Sequence, residues 1–597
     1  MYVAVCGAKG HEQVSVREDK RVPGSTRKKT VVIKNYGNLK DLLEKDSNFV
    51  SNLKAEIARE RVERRNMSNI TVSLPVDDID AIDKQSHCYS FGHMLVKRVW
   101  SVLKLDEFFN NVCKQRNKNE IKQGIYFLTA HRIGSPASIR STSSDQMKHA
   151  GIAEVTPDVL YSVLDILSEE QDALIEHLSK IFAKQTSRTM DTVSYDVTNY
   201  YFESTAEGEL RLFGYSKEHT NNEVLVVMGL LIDSNGIPVT MQLFAGNTMD
   251  QNTLTSAVEK LDKLYGIKNI TVVADRGMNS GSNLTFISDN NHHFVVSYTL
   301  KKAKKELRAA CLNGRWDEIN TDSQSGELIY ASKTVDYKIM AKVPLSEEEI
   351  ATRKEEQKQT HKKGRVPKYK IVEIDTKIHV TYSSNRAYKD RNDRERTLKK
   401  LNKRMSKPGC IEQSLHYGAN KYLSINSDVK NAVIDYAKVQ EDAKWDGYYA
   451  VITDKTELTT EEVMNIYMGQ WKIEESFRIL KTDLEARPVY VWKDEHIKGH
   501  FVMCYLALCI IRYIQYILKI NGKEVLSAAR IMKSISDPLV TTVGKYPHCV
   551  LIPTNLSSDF IELADTLGFK KLENNMTPTR FKSLTKLNLN KQLEIIS

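Results

Sequence analysis

From Val193 onward, apolar and polar positions alternate with the period of strands. VSYDVTNYYF, EVLVVMGLLID, IPVTMQLF, ITVVADRG and HFVVSYT give five β-type runs, with one helical stretch, Leu254 to Leu264, between the third and fourth. Three strands in succession, a helix, and a strand ending in an acid predict a mixed α/β sheet. Upstream, from about 88 to 186, the period is helical: Met94, Leu95, Val99, Val102 and Leu103, then Leu160, Val163, Leu164 and Ile166. Residues 1 to about 75 combine short β-like runs (Tyr2 to Val5, Thr30 to Lys34) with the turn RVPGSTRKK and the charged helical segment KAEIARERVERR, which reads as a basic ribbon and helix. Beyond 301 the chain is more polar. Candidate strands at Leu328 to Tyr330, Tyr337 to Ala341 and Lys377 to Tyr382 flank a lysine-rich loop, and AYKDRNDRERTLKKLNKRM reads as a charged helix. Two long helices follow, Thr460 to about Leu484 and His496 to about Ile520, before a shorter C-terminal portion.

Composition narrows the class. The 597 residues suggest three or four domains, and 86 Lys and Arg against 76 Asp and Glu leave a net charge of +10. That excess points to a polyanionic partner, and 41% hydrophobic residues exclude fibrous and wholly disordered chains. Eight scattered cysteines (Cys6, Cys88, Cys113, Cys311, Cys410, Cys504, Cys509 and Cys549) form no CxxC pair, so zinc is not expected and free thiols in a reducing cytoplasm are. The opening MYVAVCGAKGHEQ turns polar too soon for a signal peptide. The apolar run Phe501 to Ile511, closed by Arg512 and Lys519, falls short of the ~20 residues of a membrane span and reads as a buried helix, so no membrane is expected as a partner.

Three carboxylates stand out. Asp196 lies mid-strand with Thr192, Ser194 and Thr198 on the polar face, opposite Val193, Tyr195 and Val197. Such an acid is either solvent-facing or paired with a cation. Asp275 ends the apolar run Ile270 to Ala274 ahead of Arg276 and Gly277, where open α/β sheets place ligand groups, though turn formers sit there too. On the helix capped by Thr459 and Glu462, Val463, Ile466, Ile473, Phe477, Leu480 and Leu484 make one apolar stripe. At ~100° per residue Glu474 borders that stripe and Glu475 faces solvent. Tyr467, Arg478 and Lys481 share the flank of Glu474, which could equally be an ion-paired surface. Three carboxylates so placed could hold two hard cations about 3.5–4 Å apart and activate water or a 3′-hydroxyl at a phosphodiester. His219, His292, His293 and His500 lack metal-like spacing, Lys301, Lys302, Lys304 and Lys305 read as a solvated face, and Asp250 as a helix-start residue.

The sequence YMGQWKIEESFRILK carries Tyr467, Gln470, Glu474 and Lys481 at the spacing Tyr-x2-Arg-x3-Glu-x6-Lys, with Gln470 in place of Arg. With YDVTNYYFE, GYSKEH, VVADRGMNS, KDRNDRER and WDGYYAVIT, this resembles the DDE transposases of bacterial insertion sequences, in the branch with the YREK signature, over about 190 to 510. The resemblance implies a ribonuclease-H-like α/β core interrupted by a mostly β insertion and preceded by a mainly helical DNA-binding region with an N-terminal β-ribbon. The implied order is a ribbon and helix over 1–75, a helical end-binding domain over 76–186, core over 187–300 and 456–525, insertion over 301–455, and a C-terminal helical region over 526–597 with a possible role in dimerisation. It further implies Mg2+, two ions with Mn2+ as a substitute, held by Asp196, Asp275 and Glu474. Tyr467, Gln470, Arg478, Lys481, Arg276 and Trp445 become DNA contacts, Trp445 with Tyr448 and Tyr449 as candidates for stacking on a flipped base. The expected partners are double-stranded DNA, as terminal inverted repeats and target, and a second copy of the chain. The alternatives are an inactive transposase-derived DNA-binding protein and a stand-alone Mg2+-dependent nuclease.

Overall fold

The computed structural model describes residues 1–21, 28–67, 88–186, 188–215, 223–266, 269–359, 366–405, 421–424, 433–544 and 546–596. His219, Cys410, the ribbon turn at 22–27 and part of the lysine-rich loop, 360–365, lie outside them. The chain divides into two compact units, Met1–Ala81 and Ile82–Ser597.

In the first unit, β1 (Tyr2–Cys6), β2 (Gln13–Arg21) and β3 (Lys28–Asn38) form an antiparallel sheet followed by helices Leu39–Lys45 and Phe49–Met67. Val14 and Val16 alternate onto one face and meet Leu53 and Ile57 of the second helix in a small core. The β2 and β3 ladder continues beyond β1, with Lys20 paired to Lys29.

The second unit begins with β4 (Cys88–Ser90) and a helical layer that includes α1 (Lys118–Gly134) and α2 (Pro157–Glu169). Then come β5 (Thr192–Tyr201), β6 (Leu225–Asp233) and β7 (Pro238–Ala245), successive antiparallel neighbours. The predicted helix is found at Leu254–Tyr265, after which β8 (Thr271–Ala274) returns parallel to β5 and β9 (His293–Ser297) parallel to β8. The stretch 301–455 continues this sheet with β10 (Glu318–Thr321), β11 (Leu328–Pro344) and β12 (Tyr369–Ser383). After a two-residue ladder of β13 (Leu423–Ser424) and β14 (Val433–Ile434), β15 (Tyr448–Thr453) inserts between β12 and β9. The order across the nine strands is β10-β11-β12-β15-β9-β8-β5-β6-β7. Two candidate strands thus merge into the 17-residue β11, because pairing with β12 along its length outweighs the polar sequence between them.

One face of the sheet, with Val193, Tyr195, Val197, Val272 and Val296, packs on Leu254, Val258, Leu261 and Leu284. The other face carries α3 (Thr460–Met468) and α4 (Trp471–Arg478). The single helix expected over Thr460 to Leu484 is broken. Around Gly469 the backbone tightens to i→i−3 bonds (Gly469 N to Ile466 O 3.2 Å, Gln470 N to Tyr467 O 3.0 Å), and a π turn over Ile479–Asp483 ends the run. Glycine holds helical backbone weakly, which makes it the natural place for the break.

The long helix α5 (Asp494–Ile520) is apolar enough and long enough to cross a membrane by length and composition, yet it is a core element: 89% of its apolar window is buried inside the protein. Gly499 lets it touch α2, since a Cβ there would stand 2.1 Å from the Leu164 carbonyl oxygen. The C-terminal segment, expected to be helical, also supplies β16 (Leu539–Val543) and β17 (Val550–Thr554). β16 pairs with β4, and one hydrophobic core joins residues of 89–182 with those of 526–593.

Candidate active site

The site is a row across the sheet. Tyr195 of β5 is level with Ala274 of β8, and Ala274 with Val296 of β9. One step further along these parallel strands come Asp196, Asp275 and Ser297, on one face and in neighbouring strands about 4.8 Å apart. Val451 of β15 pairs with Ser297, and Tyr449, two residues before it, shares the face. Val463 of α3 packs on Val273, Val295 and Val451, which suspends α3 and α4 over the row.

Asp275 is exposed at the strand end, and its Oδ1 accepts a hydrogen bond from Ser297 Oγ at 2.9 Å. Asp196 is half-buried and its Oδ1 accepts from Val197 N at 2.8 Å. Above them the rings of Tyr467 and Tyr449 lie 5.6 Å apart, and Tyr467 also hydrogen-bonds Ser297. Burial raises the Tyr467 phenol's pKa, and the negative charges of Asp275 and Glu474 add to the shift. The Tyr449 phenol is raised by burial first and then by its bond to Tyr467. Glu474, exposed on α4, lines with Asp275 and Tyr467 a cleft of about 910 Å³. Asp196 is not among the lining residues. Among the described residues, no three His, Cys, Asp or Glu side chains stand close enough together to hold a metal ion. The donor chemistry of Asp196 and Asp275, paired oxygen ligands on adjacent strands, fits a hard divalent cation, while Glu474 faces the same cleft from the helix.

The other residues singled out divide. Arg276 is exposed and lines both this cleft and an adjoining pocket of about 410 Å³ shared with Lys302. The Lys481 ammonium lies 5.7 Å from the Tyr200 ring centre. Gln470 is buried in the tightened turn. Arg478 is exposed, its guanidinium 3.6 Å from Glu475. Trp445 is only 3% exposed: Tyr448 packs against it and the Arg308 guanidinium lies 5.7 Å from its ring centre. Tyr449 lies under Arg386 at 4.5 Å.

Glu475 does not face solvent as the helical phase predicts. It pairs with Arg512 of α5 at 2.7 Å, because α5 covers the flank of α4 opposite Ile473 and Phe477. Sequence reasoning also passed over Ser297 and the cleft's far wall, where Arg394 pairs with Asp446 and Lys301 with Asp442. Ser297 could have been found: it closes the run HFVVSYT at the level where Asp275 closes the preceding one.

A mixed sheet with two acids on neighbouring strands, Asp196 within one and Asp275 at the end of the other, roofed by a broken helix that carries a third, is the framework of an α/β enzyme domain. Residues 189–510, more than half of the chain, match the transposase DDE domain family. The protein belongs to that family, and its functional class is that of a transposase. Among solved structures it is similar to a piggyBac transposase in a cryo-EM synaptic complex with hairpin DNA, at 10% identity and a TM-score of 0.34, over 74% of this chain and 76% of that one. Comparison with curated proteins finds no match.

Proposed function

We propose that the protein is a cut-and-paste DNA transposase of the insertion-sequence type with the YREK signature, built on a ribonuclease-H-like core. It binds the terminal inverted repeats of its element, cuts their ends and joins the freed 3′-hydroxyls to target DNA, as a homodimer on paired ends in the cytoplasm. The observation that carries this reading is the Asp196, Asp275 and Ser297 row beneath Tyr467 and Glu474. The sheet order supports the core: β5, β6 and β7 antiparallel, then β8 and β9 parallel on the other side of β5.

Asp196, Asp275 and Glu474 would hold the divalent cation, Mg2+ or Mn2+, whose chemistry is to activate the attacking oxygen and stabilise the leaving one. Ser297 orients Asp275 through its hydroxyl. Tyr467, kept protonated by burial and its acidic neighbours, can donate to a phosphate oxygen at the cleft. Arg276 and Lys302 place positive charge on the cleft, where they would meet the DNA backbone, and Lys481, beside Tyr200, would add a further cation.

The test is cleavage of inverted-repeat DNA with Mg2+ by wild type and by Asp196→Asn, Asp275→Asn and Glu474→Gln. Loss of cutting in all three with end binding retained is expected, and cutting at the wild-type rate by any of them would remove it from the site. That Asp196, Asp275 and Glu474 do not form a group of three close enough to hold a metal ion favours one other reading, a DNA-binding protein that no longer cuts. Wild type that binds ends and never cuts with Mg2+ or Mn2+ would establish it.

A further inference from the structure

A second pocket, of about 450 Å³, lies between the helical layer and the segment that follows α4. Its wall contains Arg132, 6% exposed, whose guanidinium donates to the carbonyl oxygens of Ala137 (2.8 Å), Glu485 (3.3 Å) and Leu484 (3.4 Å). Among the described residues no carboxylate pairs with it. A buried cation satisfied by carbonyl dipoles alone leaves net positive charge at the surface it lines and favours an anion there. Its field reaches His500, another lining residue, whose pKa is lowered by burial first and by Arg132 second, to about 3, so the imidazole is neutral and the positive charge there is that of the arginines.

Arg140 and Arg487 line the same pocket. Arg140 is exposed and has no partner among the described residues, and the Arg487 guanidinium lies 5.6 Å from the ring centre of Tyr201. Glu485 is the one acid among the lining residues. Tyr490, 59% exposed, offers an uncommitted aromatic side chain, unlike Trp492, which has the Arg211 guanidinium 5.2 Å from its ring centre. Cations beside an open ring in a concavity of this size suit a phosphate and its base rather than the backbone of a duplex.

The pocket's place in the fold connects it to the site. Val489 N donates to Tyr201 O at 3.2 Å, which ties the 487–491 segment to the end of β5. Tyr201 lies five residues beyond Asp196, about 17 Å along the strand, or about five stacked base steps at 3.4 Å each.

We propose that this pocket captures one unpaired nucleotide of the DNA strand that leaves the cleft, Arg140 and Arg487 holding its phosphate and Tyr490 stacking on its base. The inference rests on the reading of the protein as a DNA-cutting transposase.

The probe is a short fluorescein-labelled oligo(dT), titrated against the full chain over a salt series. Arg140→Ala is expected to reduce the slope of log affinity against log salt by about 0.7, one phosphate contact on a single strand, and Arg140→Lys to restore it. Tyr490→Ala is expected to weaken binding about tenfold. Both side chains are exposed, so melting should be unchanged. An oligo(dT) carrying 5-iodouracil should photocrosslink to the 488–492 peptide. Wild-type affinity and slope in both Ala variants, or a crosslink elsewhere, would overturn the proposal. Free dTMP competing as well as the oligonucleotide would overturn the strand as occupant. Wild type that never cuts end DNA while the variants still lose oligo(dT) would sink the cleavage reading and leave the pocket standing.

Discussion

Glu474 and Glu475 are adjacent in sequence and opposite in role, so exchanging each for glutamine separates chemistry from architecture. Arg512, 6% exposed, donates to Glu475 Oε2 (2.7 Å), Gln515 Oε1 (2.9 Å), Lys472 O (2.7 Å) and Ser476 Oγ (3.2 and 2.7 Å). Burial lowers its pKa and Glu475 opposes that shift, so the acid is what makes the buried cation tolerable. Breaking such a pair from one side costs about 3–5 kcal/mol. The Glu475 side chain retains 19% exposure, and glutamine can still accept one hydrogen bond, which reduces the expected cost to about 2–3 kcal/mol. Glu475→Gln should therefore lower the melting temperature of the 82–597 unit by roughly 2–3 °C. Below that temperature it should cut end DNA within about tenfold of wild type, a loss of no more than ~1.4 kcal/mol in the barrier. Glu474→Gln, exposed and in the same cleft as Asp275, should leave melting unchanged and abolish cutting. Differential scanning fluorimetry and a strand-cleavage gel on the same preparations give both readouts. Cutting lost in Glu475→Gln at an unchanged melting temperature would refute the assignment of roles.

Three further outcomes are expected. Ser297→Ala removes a hydrogen bond to a carboxylate, worth about 1.5–3 kcal/mol, and should slow cleavage roughly 10- to 100-fold with end binding intact; an unchanged rate would show that Ser297 does not orient Asp275. Gly499→Ala drives a Cβ to 2.1 Å from a backbone oxygen of α2 and should cost at least about 2 kcal/mol in urea unfolding; wild-type stability would contradict the close contact of α2 and α5. The imidazoles of His93, His131 and His149 cluster at 5.4–5.9 Å beside Asp145, Lys97, Arg132 and Lys148, and burial, the first cause in each, lowers their pKa values to about 4, 4 and 3. The unfolded chain then binds more protons than the native one between about pH 4 and 6.5, so stability present above 6.5 is lost as the pH falls, on the order of 3 kcal/mol from His93 alone; a flat urea-stability profile across that window would refute it.

Local pattern carried much of the architecture into view. Strand parity put Asp196 on the face opposite Val193, Tyr195 and Val197, and the structure has those three in the core. The capping box at Thr459 and Glu462 is present as read. What failed depended on contacts distant in sequence. The phase of Glu475 opposite Ile473 and Phe477 is kept, but that flank is covered by α5, some 37 residues on in sequence. The length of β11 is set by β12, some 40 residues away, and the strands at 539–554 are held by β4 across most of the chain. Trp445, a stacking candidate by position, lines the cleft but is 3% exposed, packed by Tyr448 and with the Arg308 guanidinium 5.7 Å from its ring centre, a burial that no window around it encodes.

These long-range pairings bear on how the site is held. The row of Asp196, Asp275 and Ser297 is fixed by the registers of β5, β8 and β9, all from one compact stretch. The helix that roofs it is not: Val463 of α3 rests jointly on Val273, Val295 and Val451, and Val451 belongs to β15, which reaches its place beside β9 only after the excursion from 301 to 447. The same strand brings Tyr449 against Tyr467 and, through it, to Ser297. Two of the three supports of α3 would survive removal of the excursion, but the third support and the tyrosine pair would go, and β9 would become an exposed edge. The segment 301–455 is therefore part of what positions Tyr467, and through the short turn at Gly469 of what positions Glu474, whatever else its charged helix and loop contact. Any force on that segment has a direct mechanical route, along β15, to the roof of the row.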